Sequence, residues 1–266
     1  MNTVTVTLVK QPELYFEADL ITPDQFAGKS AEEIGAVEIS EGKIKYPLSS
    51  VATIEGASGA TAAETKIVLN GDWTRVKRIG QQMTSGEIVI NSTTDMYTGG
   101  WMKGGKIIVN GNVDSFTGIA MAGGELTVNG SAQNHVGSAY RGDWRGMTGG
   151  VLRVKGSAGN DIGTFMRGGT IIIEGDAFIH VLTHGEGGTI IVKGNVQGRV
   201  GGQAVKGEVY VYGEIEYMMP GYKYVDDVEA EVDGEKAMFA HYIGDLGERH
   251  PISKGQTVFT NLYLKK

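Results

Sequence analysis

His180 and His184 stand four residues apart, a spacing that on a helix face offers two imidazoles to one metal ion. The surrounding residues read as strand and turn, where that spacing does not place both rings on one side. Gly100 to Lys106 (Gly-Trp-Met-Lys-Gly-Gly-Lys) approximates a phosphate-binding loop, but the motif needs Ser or Thr next and a helix after it, and Ile107 follows with no helix signal. Met83, Met102, Met121 and Met166 recur at one position and form a ladder of soft side chains, expected to fill a core rather than to hold a metal or substrate. His135, His241 and His250 have no evident partners. No Ser-His-Asp set follows from spacing, and the carboxylates are too scattered to nominate an acid/base pair. No catalytic, cofactor-binding or metal residue is therefore assigned to this chain.

All of these residues but His241 and His250 sit within one repeated unit, Gly-x-x-Met-x-x-Gly-x-Ile-x-Val-x-Gly, written from about Gly80 to Gly213. Its middle glycines fall at 86, 105, 124, 150, 169, 188 and 207, a spacing of 19 with one interval of 26. A fixed period of that size marks a stacked array. Two and four residues after each middle glycine stand apolar pairs, Ile88/Ile90, Ile107/Val109, Leu126/Val128, Leu152/Val154, Ile171/Ile173, Ile190/Val192 and Val209/Val211, which share the inward face of a strand. Apolar positions recur again eight and twelve residues after the glycine, as at Val113 and Val136. Three short strands per turn with glycine bends predict an all-β fold, a right-handed parallel β-helix (a solenoid of about 19-residue turns) with capping N- and C-terminal segments. Helical solenoids, hexapeptide β-helices and propellers fail on period. At roughly 4.8 Å per turn the column is on the order of 35 Å long.

The expected organisation is an N-terminal cap over 1–65, repeats over 66–213 and a C-terminal cap over 214–266. In the first segment Ser30 and Glu33 have capping-box spacing, and short strands are expected at Val37 to Ile39 and Val51 to Ile54. In the last, Asp226 to Glu235 is acidic, most simply a solvated face, and Gln256 to Leu264 reads as a final strand. Asn70, Asn91, Asn110 and Asn129 recur before turns, where amide side chains can bond along a column.

Composition narrows the function. Forty-two glycines without a collagen period point to regular tight turns. A net charge of −7 argues against a nucleic-acid binder. With no cysteine, disulfides, thiolate zinc sites, thiol catalysis and cysteine-ligated iron–sulfur clusters are excluded from this polypeptide. Met1 to Lys10 reads as neither secretory signal nor membrane span, so a cytoplasmic protein without membrane contact is expected.

Two surface features stand out as candidate interfaces. The longer interval adds seven residues around Tyr140 to Gly149, so Arg141, Asp143, Trp144 and Arg145 must bulge from the column, either toward a partner or back onto it. The residue between each inward pair faces outward: Val89, Ile108, Thr127, Arg153, Ile172, Ile191 and Tyr210. Ile108 with Val89, and Ile172, Ile191 and Tyr210, make two apolar stripes expected to be covered by another subunit or by this chain's own termini.

The repeat, the segment Ser138 to Gly150 (Ser-Ala-Tyr-Arg-Gly-Asp-Trp-Arg-Gly-Met-Thr-Gly-Gly) and the leader Phe26 to Ser30 (Phe-Ala-Gly-Lys-Ser) resemble the C subunit of formylmethanofuran dehydrogenase, over nearly the whole chain and most closely over 66–225. The repeat alone is also similar to the C-terminal domain of glutamate synthase and to the C subunit of the methylotroph formyltransferase/hydrolase complex. Ser92 for a closing Gly, Leu182 for an opening Gly, and Gly185 and Ala204 for Met depart from the pattern. The resemblance implies a structural subunit in a complex that reduces CO2 and condenses formate with methanofuran. It implies molybdenum- or tungsten-pterin, iron–sulfur clusters and a metal-dependent hydrolase site in partner subunits: a redox subunit that binds the pterin, an amidohydrolase-like subunit and iron–sulfur electron carriers. The rival is a stand-alone β-helix enzyme such as a polysaccharide lyase, which needs a basic and acidic cluster along one groove and a secretion signal.

Overall fold

A computed structural model of the chain describes residues 1–245 and 259–266. His250, and residues 256–258 of the expected last strand, lie outside the described residues. The first segment comprises β1 (Asn2–Leu8), β2 (Phe16–Glu17), α1 (Pro23–Phe26), α2 (Ala31–Gly35), β3 (Glu38–Glu41), β4 (Ile44–Pro47) and β5 (Ala52–Gly56). The capping box forms at α2: the Glu33 N–H donates to Ser30 Oγ at 3.3 Å and the Ser30 N–H donates to the Glu33 carboxylate at 2.8 Å.

The repeats supply β6 (Thr65–Asn70), β7 (Val76–Lys77), β8 (Glu87–Ile90), β9 (Lys106–Val109), β10 (Glu125–Val128), β11 (Val151–Val154), β12 (Thr170–Ile173), β13 (Ala177–Val181), β14 (Glu186–Val192), β15 (Val196–Val200), β16 (Lys206–Val211) and β17 (Ile215–Tyr217). The chain closes with β18 (Lys223–Val232), β19 (Glu235–Gly244) and β20 (Thr260–Lys265). The described residues are thus mostly β, and none of their helices is long and apolar enough to cross a membrane.

One strand from each repeat joins a parallel stack in strict register, in which Ile67, Ile88, Ile107, Leu126, Leu152, Ile171, Ile190, Val209 and Leu262 are successive partners. At the N-terminal end β1 pairs parallel with β6 and antiparallel with β5; at the other, β19 pairs antiparallel with β20 and β18 antiparallel with β19, making a mixed thirteen-stranded sheet. The position eight residues after the middle glycine runs from Thr94 through Val113, Ala132 and Ala158 to Ala177 as single parallel bridges, then widens into the sheet β13-β15-β17. A four-stranded sheet, β4-β3-β2-β7, ties the first segment to the repeats.

The inward pairs are fully buried, and each Ile or Leu so buried contributes about 1.5–3 kcal/mol. The methionines share this interior, and Met147 is an additional rung that the seven inserted residues hid by separating it from its opening glycine. Each methionine fills the space left by a missing Cβ. A Cβ on Gly105, Gly124, Gly150, Gly169 or Gly188 would lie within 2.8 Å of the terminal methyl of Met83, Met102, Met121, Met147 or Met166, and these glycines hold φ between +80° and +86°. Where the pattern departs, two changes compensate. Leu182 replaces an opening glycine and Gly185 replaces the methionine; the leucine, fully buried, reaches Gly207, the middle glycine of the next turn.

Candidate interaction surfaces

In an ordinary repeat the methionine N–H donates to the carbonyl of the opening glycine three residues before it, as from Met121 to Gly118 at 3.1 Å and from Met166 to Gly163 at 2.9 Å. In the long repeat Met147 makes the same bond to Gly137 at 3.0 Å. The insertion therefore leaves and re-enters the turn at the two ends of one hydrogen bond, and β10 and β11 remain paired in register. Two further bonds seat it on the next turn, Ala139 N–H to Thr164 O at 3.0 Å and Gly146 N–H to Phe165 O at 2.9 Å.

Part of the bulge folds back onto the column and part of it points into solvent. Tyr140 turns back, its ring 5.6 Å from Trp101 and 6.2 Å from Tyr97, and the Arg141 guanidinium rests 5.9 Å from the Phe116 ring. Trp144 turns outward and is 70% exposed, touching Phe165 edge-on at 5.7 Å. Asp143 fixes the tip: its carboxylate accepts the N–H of Trp144 at 2.8 Å and of Arg145 at 3.2 Å, and both arms of the Arg145 guanidinium at 2.9 and 3.2 Å. The hydrogen bond from Arg145 holds the Asp143 carboxyl below the ordinary carboxylate range. Beside the tip lies an open depression of about 750 Å³, bounded by Arg141, Trp144, Arg145 and an Arg167–Glu186 pair at 3.1 Å.

Under this loop runs an aromatic column that no single motif announces. The residue two before each opening glycine takes left-handed φ, +68° at Arg78, +66° at Tyr97, +65° at Phe116 and +64° at His135, so these side chains point out at one corner and stack. Ring centroids are 5.2 Å apart for Tyr97 and Phe116 and 4.6 Å for Phe116 and His135. A parallel column two residues after the glycine pairs Phe165 with His184 at 4.7 Å. His135 thus stacks on Phe116 and His184 on Phe165, and partial burial pushes the His135 imidazole toward its neutral form. His180 lies beside Thr183 instead, at 3.5 Å. No three His, Asp or Glu side chains among the described residues are grouped to hold a metal ion. The readable signal for the columns is aromatic and His residues at fixed offsets from the opening glycine.

The outward stripe divides in two. Ile172 and Ile191 are buried, 3% and 4% exposed, under the β18–β19 hairpin, packed with Val232, Phe239, Tyr210 and Tyr263. Tyr210 stacks on Tyr263 at 4.4 Å and meets Phe239 edge-on at 5.4 Å. Of the two possible coverings, this chain's own C-terminal segment takes these three residues. The acidic run is also more than a solvated face: Arg153 pairs with Asp233 of the hairpin turn at 2.5 Å and with Glu174 at 3.0 Å, and Lys193 approaches Glu235 at 3.4 Å. Val89 and Ile108 stay half-buried and lie outside the cluster that the hairpin covers. His241 belongs to the hairpin, held between Asp226 and Asn261 at 3.0 Å each and stacked on Tyr263.

No family model matches the chain. Curated relatives match part of it: the C subunit of molybdenum-containing formylmethanofuran dehydrogenase 1 of Methanosarcina barkeri is 48% identical over 88 residues, 33% of this chain and 29% of the relative. The C subunit of tungsten-containing formylmethanofuran dehydrogenase 2 of Methanothermobacter thermautotrophicus is 46% identical over 99 residues, 37% of each. The chain thus spans about a third of the length of the curated relatives it matches. In fold the likeness extends over the whole chain: a chain in the crystal structure of the formyltransferase/hydrolase complex from Methylorubrum extorquens, determined with methylofuran, superposes with a TM-score of 0.85 over 98% of this chain and 99% of that one, at 22% identity.

Proposed function

We propose that this chain is a non-catalytic structural subunit of a formylmethanofuran dehydrogenase complex, in which CO2 is reduced and the formate condensed with methanofuran to N-formylmethanofuran. The observation that carries the reading is the 46–48% identity to the C subunits of both metal forms of that enzyme. The whole-chain likeness in fold supports it and keeps the methylotroph formyltransferase/hydrolase complex as the second reading, at a lower identity of 22%.

The architecture we propose is a right-handed parallel β-helix over 66–213, capped by 1–65 and 214–266. In-register parallel strands, one per 19-residue repeat, support it. Such a rod, on the order of 40 Å across nine stacked strands, would hold a pterin-binding redox subunit and an amidohydrolase-like subunit in fixed relation, with iron–sulfur carriers beyond. The metal chemistry, molybdenum or tungsten, belongs to those partners. Arg141, Asp143, Trp144 and Arg145 on the insertion, and Ile108 with Val89 on the open stripe, are the surfaces we assign to contact with other subunits. Purification of the tagged chain from its host tests this: it should bring down both catalytic subunits with formylmethanofuran dehydrogenase activity, and recovery of the chain alone would refute it.

A further inference from the structure

Resting on the reading of this chain as a subunit, we infer that the depression beside Trp144 seats an acidic loop of a partner subunit, one carboxylate entering toward Arg141 while an apolar neighbour lies on the indole. The charges point this way. Three guanidiniums and two carboxylates border the depression; Arg145 is matched by Asp143 and Arg167 by Glu186. Arg141 has no carboxylate within salt-bridge distance among the described residues; its guanidinium lies 5.9 Å from the Phe116 ring. On a chain of net charge −7 this corner carries a local positive excess, which favours an acidic partner group and disfavours another basic one.

The site is also built in advance. Asp143 holds the backbone of Trp144 and Arg145 and the guanidinium of Arg145, and the loop is clamped at Gly137 and Met147. Trp144 is consequently presented with 70% of its surface in water and no indole hydrogen bond among the described residues. A preorganised Trp flanked by Arg is the composition that concentrates binding energy in protein interfaces. Other ligand classes fit less well. The depression is open to solvent and would leave most of a small molecule wet, and the chain lacks the basic tract that nucleic acid requires.

Hydroxyl-radical footprinting of the complex purified from the host, against the isolated full chain, tests the inference, with half-buried Trp101 as internal reference. Trp144 should be oxidised faster than Trp101 in the isolated chain and at least fivefold more slowly in the complex. Arg141→Glu should lower partner retention at moderate salt at least fivefold, with Arg141→Lys near wild type. Oxidation of Trp144 in the assembled complex at the isolated-chain rate would overturn the inference and leave the subunit reading standing. A chain that enters no complex would overturn both.

Discussion

The outer face of the long sheet carries one stripe that the molecule treats in two ways. From Ile172 to Tyr210 it packs with the β18–β19 hairpin; from Val68 to Thr127 its residues are half-buried and lie outside the hairpin's apolar cluster. The flanking columns explain the difference. Beside the half outside the hairpin, Asn70, Asn91, Asn110 and Asn129 bond to one another at 2.8, 2.8 and 2.6 Å, while Lys66 pairs with Glu87 and Lys106 with Glu125. These polar groups are matched within the face itself. Beside the covered half the same positions carry Glu174 and Lys193, with Arg153 in the stripe, and the hairpin brings Asp233 and Glu235 to meet the cations. Covering an apolar stripe near cations requires a covering element that also supplies anions. The chain provides one for half of the face, and on the other half the polar groups pair among themselves.

The strongest way to break this contrast is Phe239→Ala. Phe239 is fully buried between Tyr210 and Tyr212, and its truncation should cost about 3–5 kcal/mol in denaturant unfolding. Hydrogen exchange should show protection lost in β18 and β19 while β8 to β10 keep theirs; uniform loss would mean the hairpin is not a separable covering. Next in size, Ile191→Ala should cost about 2–5 kcal/mol, whereas Ile108→Ala at the matching half-exposed position should cost about 1 kcal/mol or less. Equal values would erase the distinction between the halves.

Smaller again is Arg153→Ala, about 1 kcal/mol or less because both partners keep solvent contact. The hydrogen bond from Arg153 holds the Asp233 carboxyl below its ordinary 3.8. Its contribution is therefore present above the unfolded-state value and fades as pH falls through the depressed folded one. Arg153→Ala should flatten that part of the acid limb, and an unchanged pH profile would mean that the ion pair contributes nothing to acid stability. Smallest is Val89→Thr, expected within about 0.5 kcal/mol in the isolated chain; a larger loss would indicate that this half of the stripe is packed as tightly as the half under the hairpin.

How far the sequence discloses this follows from the range of each interaction. The inward pairs and the turn glycines are legible because they recur at a fixed period with the same residue types, each meeting its equivalent on the neighbouring turn. Met147 escapes the pattern because seven residues separate it from its opening glycine, although one hydrogen bond closes the gap. The occupant of Ile172 and Ile191 stays open because the hairpin lies tens of residues away in sequence, and its Asp226 to Glu235 run resembles a solvated face until Arg153 and Lys193 are placed beside it. The stacked Tyr97, Phe116 and His135 recur at the same period of 19, but the residue type changes at each turn (Arg78 precedes them and Asp161 follows), so the position reads as variable until the rings are seen to stack.

The proposed structural role is tested most directly by native mass spectrometry of the assembly carrying the tagged chain from its host, with formylmethanofuran turnover assayed on that assembly and on the purified chain. The expected result is a defined complex containing the pterin-binding and hydrolase-type subunits, active as a whole, and a purified chain with no turnover. Turnover by the chain alone, or an active complex that assembles without it, would contradict that role.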